Sequence, residues 1–264
     1  MRDLPVRGTV RDLGLRLPPA RMPAVHRGRP LKRWRYVGVF RRDLMLCVGD
    51  ARVAGIPQRW WAIALPDGSL FEGSRGVAVG PERARVRGVL DLALARPAGV
   101  EVVSPHGRSY VWTRKLAPVN VRGAVSAGCR TFELDGEDGF VDDSAGYHAR
   151  HTAWRWSAGI GRAEDGRAVA WNLVDGVHDA LEQSERTLWV DGEAREVPPQ
   201  EFAADLSRVG ELEFHEWSAR ESRVNLLVLR NRYRQPFGEF SGRLPGGLPL
   251  AEGFGVMEEH DVLW

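Results

Sequence analysis

The densest group of side chains able to do chemistry lies between residues 142 and 151. It contains carboxylates, hydroxyls, a guanidinium and imidazoles, contributed by Asp142, Asp143, Ser144, Tyr147, His148, Arg150 and His151. If a strand begins by Tyr147, alternation places His148, Arg150, Trp154 and Trp156 on one face. Facing a cavity, these groups can bind a flat or anionic ligand or position a proton. The alternative, in which the tryptophans are core and the polar residues form a solvated loop, stays open.

A second polar pair lies near the C-terminus. If residues 252–264 form a strand, Glu258 and His260 share a face with Phe254, Val256 and Trp264. Desolvation raises the pKa of a carboxyl group toward neutrality, so the pair can transfer protons. The alternative is a structural hydrogen-bonded pair. We take His148, Glu258 and His260 as the candidate catalytic residues.

Ligand contacts are expected from aromatic and polar side chains on the same strands and the loops beside them. The candidate ligand-binding residues are Arg150, Trp154, Trp156, Asn172, His178 and Trp60. His178 lies in a charged stretch after a hairpin, where loops at barrel mouths often carry sites, although an exposed charged loop is the alternative. We predict no metal and no other cofactor, since His148 and His151 would face opposite sides of a strand.

The elements that must position these residues are predicted to be antiparallel strands joined by tight turns. Asp-Gly, which supplies the positive φ of type I′ turns, occurs six times, at 67–68, 135–136, 138–139, 165–166, 175–176 and 191–192. The clearest hairpin runs over residues 151–174. The acidic, glycine-rich stretch 135–146 is the best candidate boundary, between an N-terminal β half, residues 1–140, and a C-terminal β half, residues 141–264. Many strands and little helical periodicity predict an all-β barrel or sandwich.

Charge is unevenly distributed along the 264 residues. The chain has a net charge of +2, but residues 1–44 carry twelve Arg or Lys and three acids. Five prolines predict that this basic arm is extended. It can attract anionic lipid or nucleic acid, but a basic arm lying over its own acidic body is the preferred interpretation. The arm lacks the glycine-spaced aromatics of an RNA-stacking sheet, so we expect no nucleic acid partner, and peripheral membrane contact is kept as an alternative.

Several classes of protein and site are disfavoured by what the sequence lacks. It has no phosphate-binding Gly-Lys-Ser/Thr loop, no dinucleotide fingerprint and no Gly-x-Ser-x-Gly elbow. It has no apolar run of membrane-spanning length, and residues 1–5 lack the apolar core of a secretory signal. Cys47 and Cys129 lie far apart and are predicted to be buried and reduced. We therefore expect a cytoplasmic protein.

Six segments resemble a bacterial domain family of unknown function. They are residues 31–40, 142–150, 154–159, 184–192, 235–242 and 255–258. More distantly, the pattern is similar to lipocalin-like proteins of the AttH and carotenoid-hydratase type. That resemblance implies a lipocalin-like barrel, or two packed barrel-like halves, with a cavity for an apolar ligand. It further implies that buried acids and aromatics can protonate, hydrate or cyclise isoprenoid-like substrates.

Three functional hypotheses follow. The first is a lipocalin-like protein that holds a hydrophobic small molecule or lipid in an aromatic-lined cavity. The second is a cofactor-independent hydratase, isomerase or cyclase, in which Glu258 or His148 protonates the substrate and indoles stabilise the cation. The third is an interaction protein that uses its basic arm.

Overall fold

The computed structural model describes residues 4–95, 98–225 and 230–264, and within them the chain is built from 21 strands. The described residues contain no α-helix and one short 3-10 turn, Val10–Leu13. None of their helices is long and apolar enough to span a membrane. The strands, in chain order, are β1 (Val6–Arg7), β2 (Val25–His26), β3 (Arg29–Pro30), β4 (Lys32–Phe40), β5 (Met45–Val53), β6 (Ile56–Ala64), β7 (Leu70–Gly73), β8 (Val77–Val79), β9 (Arg83–Val86), β10 (Leu90–Leu94), β11 (Val100–His106), β12 (Ser109–Ala127), β13 (Arg130–Gly146), β14 (His151–Ala163), β15 (Ala168–Asp175), β16 (Thr187–Val190), β17 (Glu193–Glu196), β18 (Arg208–Val209), β19 (Leu212–Asn225), β20 (Arg230–Leu244) and β21 (Leu248–Leu263).

Two large antiparallel sheets contain nearly all of these strands. The first sheet has eleven strands, in the order β7-β6-β5-β4-β13-β12-β10-β9-β8, with β11 and β1 continuing from β12. It curls so that β8 packs against β5 and β6. This curl encloses a core of aliphatic side chains, among them Val37, Leu46, Leu92 and Val119. The all-β antiparallel fold class is therefore confirmed.

The second sheet has eight strands, in the order β17-β16-β15-β14-β21-β20-β19-β18. It encloses its own core, in which Trp171 packs edge-on against Phe240 at 5.0 Å between ring centroids. The predicted hairpin over residues 151–174 is confirmed, since β14 and β15 pair in register from Arg155↔Asp175 to Arg162↔Ala168. Gly166 takes the positive φ that its turn requires.

The two sheets pack against each other through a third apolar cluster. This seam is richer in aromatic rings than the core of the first sheet and includes Tyr36, Phe140, Trp156 and Trp189. Phe140 meets Trp156 and Trp189 in edge contacts at 5.8 and 6.2 Å between centroids. The candidate site lies beside this seam, so both sheets position it.

One predicted turn region is wrong. The two Asp-Gly pairs between residues 135 and 139 do not end a hairpin, because β13 runs through them without a break. Gly136, at φ 95°, lies where the register of β12 against β13 shifts, and so occupies a bulge rather than a turn. The strand that contains residues 140 and 141 belongs entirely to the first sheet, while the division into two halves stays a prediction.

The basic arm lies against the rest of the chain. Arg11 pairs with Glu101 at 2.6 Å, and Arg29 donates to the carbonyl oxygen of His106 at 2.6 Å. Arg42 pairs with Glu252 of the second sheet at 2.7 Å. These contacts agree with an arm laid over its own body, and peripheral membrane contact stays a prediction.

The cysteines differ from the expectation in one respect. Cys47 and Cys129 are both free thiols, and Cys47 is buried on β5, where burial raises its pKa to about 12. Cys129 is exposed in the turn between β12 and β13. The prediction that both are buried is therefore wrong for Cys129, because the tip of a long hairpin extends beyond the core.

Candidate functional site

A cavity of about 410 Å³ lies between the two sheets. Strands β4, β5, β6, β12 and β13 form one side, strands β14, β15, β19, β20 and β21 form the other, and the loop 176–186 contributes Val177, His178 and Glu185. The volume falls within the range of small-molecule sites. Seven aromatic side chains line it: Trp34, Tyr36, Trp60, Trp154, Trp156, Tyr233 and Trp264.

Strand alternation explains how these side chains come to face inward. Trp34 and Tyr36 are two apart on β4, as are Trp154 and Trp156 on β14. Trp34 stacks on Trp154 with 6.3 Å between centroids and 6° between planes, although the two rings belong to different sheets. The cavity is thus walled by aromatic faces contributed from both sides of the seam.

Glu258 is the central polar residue of the second sheet's side. It lies directly opposite Trp156 in the pairing of β14 with β21. Its Oε1 accepts a hydrogen bond from Trp154 Nε1 at 2.8 Å, and its Oε2 accepts from Tyr233 Oη at 3.1 Å and Gln235 Nε2 at 2.9 Å. We call Glu258 with these three donors the Glu258 wall.

The protonation of Glu258 is set by two opposing influences. The residue is 8 % exposed, and desolvation raises its pKa from 4.5 to about 7, which outweighs the hydrogen bonds from Trp154 and Tyr233 that lower it. A carboxyl group with this pKa is about half protonated at neutral pH. It can therefore deliver a proton to a group in the cavity.

His260 lines the cavity beside Glu258 but is not bonded to it. Its Nε2 lies 2.6 Å from Asn231 Oδ1, and its ring packs on Trp154 at 4.3 Å between centroids. Burial lowers its pKa to about 3. The sequence prediction that the two residues share a face agrees with the structure, but they do not form the direct hydrogen-bonded pair that was considered.

The other side of the cavity carries a buried ion cluster. Lys115 Nζ lies 2.6 Å from Asp142 Oδ1 and 3.2 Å from Glu185 Oε1, and the lysine is 3 % exposed. The two carboxylates raise the pKa of Lys115 against the desolvation that lowers it. Trp34 Nε1 donates to Asp142 Oδ2 at 3.1 Å, which joins this cluster to the aromatic lining.

Two buried imidazoles lie at the same end of the cavity. His148 is 1 % exposed, and its ring makes a hydrogen bond to the backbone of Gly146. His178 is 7 % exposed; its Nδ1 lies 2.8 Å from Ser104 Oγ, and its Nε2 is unpartnered within the described part of the chain. We call His148, His178, Lys115, Asp142 and Glu185 together the histidine wall.

Burial keeps both imidazoles of this wall uncharged. It lowers the pKa of His178 to about 3 and that of His148 well below its ordinary value, with neighbouring His106 and Lys32 adding to the effect on His148. At neutral pH these rings are therefore suited to hydrogen bonding as neutral groups, and burial disfavours their taking up a proton. The hypothesis that His148 delivers a proton does not fit this environment.

Of the nine predicted site residues, seven line the cavity: His148, Trp154, Trp156, His178, Trp60, Glu258 and His260. Trp60 is half-buried, its Nε1 has no partner in the described segments, and Arg220 lies over its ring at 5.6 Å.

The two remaining predicted residues lie outside the cavity lining. Arg150 is exposed, because β14 begins at His151 and the alternation assumed from Tyr147 does not apply. Asn172 is buried behind the wall, where it accepts from Trp156 Nε1 at 2.8 Å and donates to the carbonyl oxygen of Glu185 at 2.9 Å. It therefore positions two cavity residues without facing a ligand.

Sequence reasoning missed Lys115 and Glu185 as partners. One signal was available: of 37 basic residues the chain has two lysines, Lys32 and Lys115, and both are buried. Lys32 Nζ lies 4.5 Å from the centroid of Trp264 and donates to the carbonyl oxygen of His148 at 3.3 Å. A lysine presents a compact ammonium charge, unlike the planar guanidinium of the 35 arginines.

No three His, Cys, Asp or Glu side chains within the described ranges are placed to hold a metal ion.

The chain matches one family model over residues 71–264, and its description is "Domain of unknown function (DUF2804)". A search of curated proteins found no match. Among solved structures, it is similar to a protein described as AttH from Nitrosomonas europaea, at 12 % identity and TM-score 0.44, covering 92 % of this chain and 97 % of that one.

Two further solved structures are similar at the same level. Kievitone hydratase from Nectria haematococca is 9 % identical, with a TM-score of 0.44, covering 86 % of this chain and 88 % of that one. CghA is 10 % identical, with a TM-score of 0.43, covering 88 % of each chain. Likeness at this level carries no functional argument.

Proposed function

This chain belongs to the DUF2804 family, and we propose that it binds a largely apolar small molecule or lipid in the cavity between its two sheets. The observation that carries the proposal is the composition of the cavity wall. Aromatic faces line about 410 Å³, and a smaller number of polar side chains, among them Glu258 and Lys115, lie between them. Apolar walls with few convergent polar groups are typical of ligand sites.

Packing elsewhere in the molecule supports this proposal. The cores inside each sheet are filled by interlocking side chains such as Leu46, Leu92 and Met257, which are fully buried. Protein interiors are normally packed this densely, so a cavity that keeps buried polar atoms unpaired is a costly feature. A bound molecule offsets part of that cost by contacting the rings that line the cavity.

A cavity-filling substitution tests the proposal. Ala51 lines the cavity from β5, so Ala51→Phe projects a ring into the space without altering any of its polar groups. We expect native mass spectrometry of the protein purified from its own host to detect an apolar ligand, and A51F to lose it. The matched control is Ala78→Phe on β8, an exposed strand position. A wild-type protein that purifies empty, or an A51F that retains the ligand, overturns the proposal.

A second candidate function is acid catalysis in the same cavity, and Glu258 is the observation that favours it. A half-protonated carboxyl held by Trp154, Tyr233 and Gln235 faces an aromatic enclosure. Its proton would pass to an alkene carbon, whose π electrons form the new C–H bond. Water would add to the resulting cation and return a proton to the carboxylate, while the indole faces stabilise the cation.

Deuterium incorporation tests this candidate. Geraniol, an isoprenoid alkene, incubated with the protein in D₂O is expected to gain a C–D bond, detected by mass spectrometry of the product. Glu258→Gln should abolish the gain while retaining geraniol binding. Equal incorporation by wild type and E258Q would remove Glu258 as the acid, and binding without any incorporation would leave the ligand-binding function alone.

A further inference from the structure

We infer that the cavity ligand is an apolar carboxylic acid, and that Arg220 of β19 receives its carboxylate group at the seam between the two sheets. The inference deepens the proposed function and rests on it. Arg220, Ser222 and Val224 lie two apart on β19 and all line the cavity, because alternate side chains of a strand point to the same face. The side chain of Arg220 keeps 20 % of its surface exposed.

Arg220 is the least paired of the three cationic side chains that line the cavity in the described part of the chain. Lys115 is held between two carboxylates at 2.6 and 3.2 Å, and Arg59 Nε donates to Asp50 Oδ2 at 3.0 Å. Arg220 makes no hydrogen bond to a described residue, and its ion pair, from Nε to Glu72 Oε2, is 3.6 Å long. Its terminal nitrogens therefore lack an acceptor within these residues.

Two aromatic rings hold the guanidinium of Arg220 in place. Its Cζ lies 5.6 Å from the centroid of Trp60 on β6 and 5.1 Å from the ring of Tyr233 on β20. Contact with ring faces stabilises the charge, but it does not supply hydrogen-bond acceptors for the N–H groups in the guanidinium plane. Because the two rings belong to different sheets, the guanidinium is held at the seam with donors available to a molecule in the cavity.

A carboxylate matches this cation better than the other common polar groups. Its two oxygens accept parallel hydrogen bonds from one guanidinium and its charge balances the cation. An amide or hydroxyl oxygen accepts but brings no charge, so it makes the weaker hydrogen bond, and an ammonium is repelled. A phosphate brings up to two charges, whereas the other two cations of the lining are already held by carboxylates.

Strand pairing indicates where the apolar body of such a ligand lies. Arg220 is directly opposite Gln235 in the pairing of β19 with β20, and Gln235 Nε2 donates to Glu258 Oε2 at 2.9 Å. Glu258 in turn is opposite Trp156 on β14. The four residues form one row across neighbouring strands spaced about 5 Å apart. A ligand whose carboxylate binds Arg220 therefore extends along this row, toward Glu258 and Trp156 in the cavity lining.

A matched series of four probes tests the inference on the unmodified protein. The probes are decanoate, decanamide, decylamine and decyl phosphate, which share one alkyl chain length but end in carboxylate, amide, ammonium and phosphate groups. Calorimetric titration measures their affinities. We expect decanoate to bind about tenfold or more tightly than decanamide, its uncharged counterpart of nearly the same shape, because only decanoate forms charge-assisted hydrogen bonds with the guanidinium.

Two variants locate the carboxylate contact. Arg220→Gln removes the charge and should reduce the preference for decanoate over decanamide to about twofold or less, while decanamide affinity stays within about twofold of wild type. Arg220→Lys keeps the charge but loses the paired in-plane donors, so it should retain part of the preference.

The matched control lies on the neighbouring strand. Arg234 of β20 is outside the cavity lining and pairs with Glu216 and Glu221 at 2.6 and 2.9 Å. Arg234→Gln removes the same charge from the same sheet and should leave the preference for decanoate unchanged.

Each outcome decides a different claim. Equal binding of decanoate and decanamide, or tighter binding of the amine or the phosphate, overturns this inference and leaves the proposed cavity function standing. A preference that survives in R220Q also overturns it, as does an R220Q that loses decanamide as strongly as decanoate, since Arg220 would then serve only the structure of the cavity. Failure of all four probes to bind counts against the cavity function itself.

Discussion

The two polar walls of the cavity differ in how their titratable groups are held. On the Glu258 wall, Trp154, Tyr233 and Gln235 all donate to the one carboxyl group. On the histidine wall, Lys115 and its two carboxylates pair with each other, while Nε2 of His178 has no partner among the described residues. One wall therefore centres on a single carboxyl group held by three donors, beside which Gln235 Oε1 is unpaired among the described residues. The other wall centres on a closed ion cluster beside neutral rings.

The walls also differ in origin. Every member of the Glu258 wall belongs to the second sheet, on β14, β20 and β21. The histidine wall combines β12 and β13 of the first sheet with the segments 147–150 and 176–186. A group held within one sheet keeps its geometry through strand pairing, whereas the histidine wall depends on how the loops pack on the sheet.

Removing the charge at the centre of the histidine wall is expected to have the largest effect. Lys115→Met leaves the buried carboxylates of Asp142 and Glu185 without their cation and should lower the free energy of unfolding by about 3–5 kcal/mol. Chemical denaturation measures this. The triple variant K115M/D142N/E185Q should recover much of the loss, and a K115M midpoint equal to wild type would contradict the role of the cluster.

Neutralising the Glu258 wall should change the pH dependence of stability. Because the folded pKa of Glu258 is about 7 against an ordinary 4.5, the folded state binds this proton more tightly. Its contribution is therefore complete below about pH 4.5 and is lost as pH rises through 7. As pH rises across that window, the free energy of unfolding of Glu258→Gln should rise by about 3 kcal/mol relative to that of the wild type. Parallel curves of unfolding free energy against pH would contradict it.

The buried imidazoles of His178 and His260 should make the free energy of unfolding depend on pH in the opposite direction to Glu258. The folded pKa of His178 is about 3 against an ordinary 6.5, so the unfolded state takes up this proton first on acidification. Stability falls below pH 6.5 by roughly 1.4 kcal/mol per pH unit for this one group. His178→Asn, which can retain the hydrogen bond to Ser104, should remove that slope. His260→Gln on the opposite side should behave alike, and unchanged acid sensitivity in both would contradict the burial of neutral rings.

Loosening the loop of the histidine wall should have the smallest effect. Arg7 of the basic arm donates to the carbonyl oxygen of Ser184 at 2.6 Å and to Thr187 Oγ1 at 3.0 Å. Arg7→Ala should lower the free energy of local opening of residues 176–186 by about 1–2 kcal/mol, and so speed their amide hydrogen exchange. Arg11→Ala is the control, since Arg11 pairs with Glu101 away from this loop. Equal protection in R7A and wild type would contradict the role of the arm.

Much of the fold was predictable because its signals are local. Turn chemistry predicted the hairpin over residues 151–174, and period-two alternation placed Trp154 with Trp156 and Glu258 with His260. The same rules failed where one local signal is compatible with two different structures. Gly136 takes a positive φ either in a turn or in a bulge, and Arg150 lies just before the strand that was expected to include it.

The sequence by itself determined an antiparallel β protein whose strands carry aromatic side chains on alternating faces, because turn type and strand period depend on neighbouring residues. Only the tertiary structure decided which polar groups meet. Lys115 and Asp142 are register partners in the β12–β13 hairpin, and Glu185 joins them where the loop 176–186 packs against the first sheet. The pKa of Glu258 was likewise decided there, because desolvation depends on everything packed around a group rather than on its neighbours in the chain.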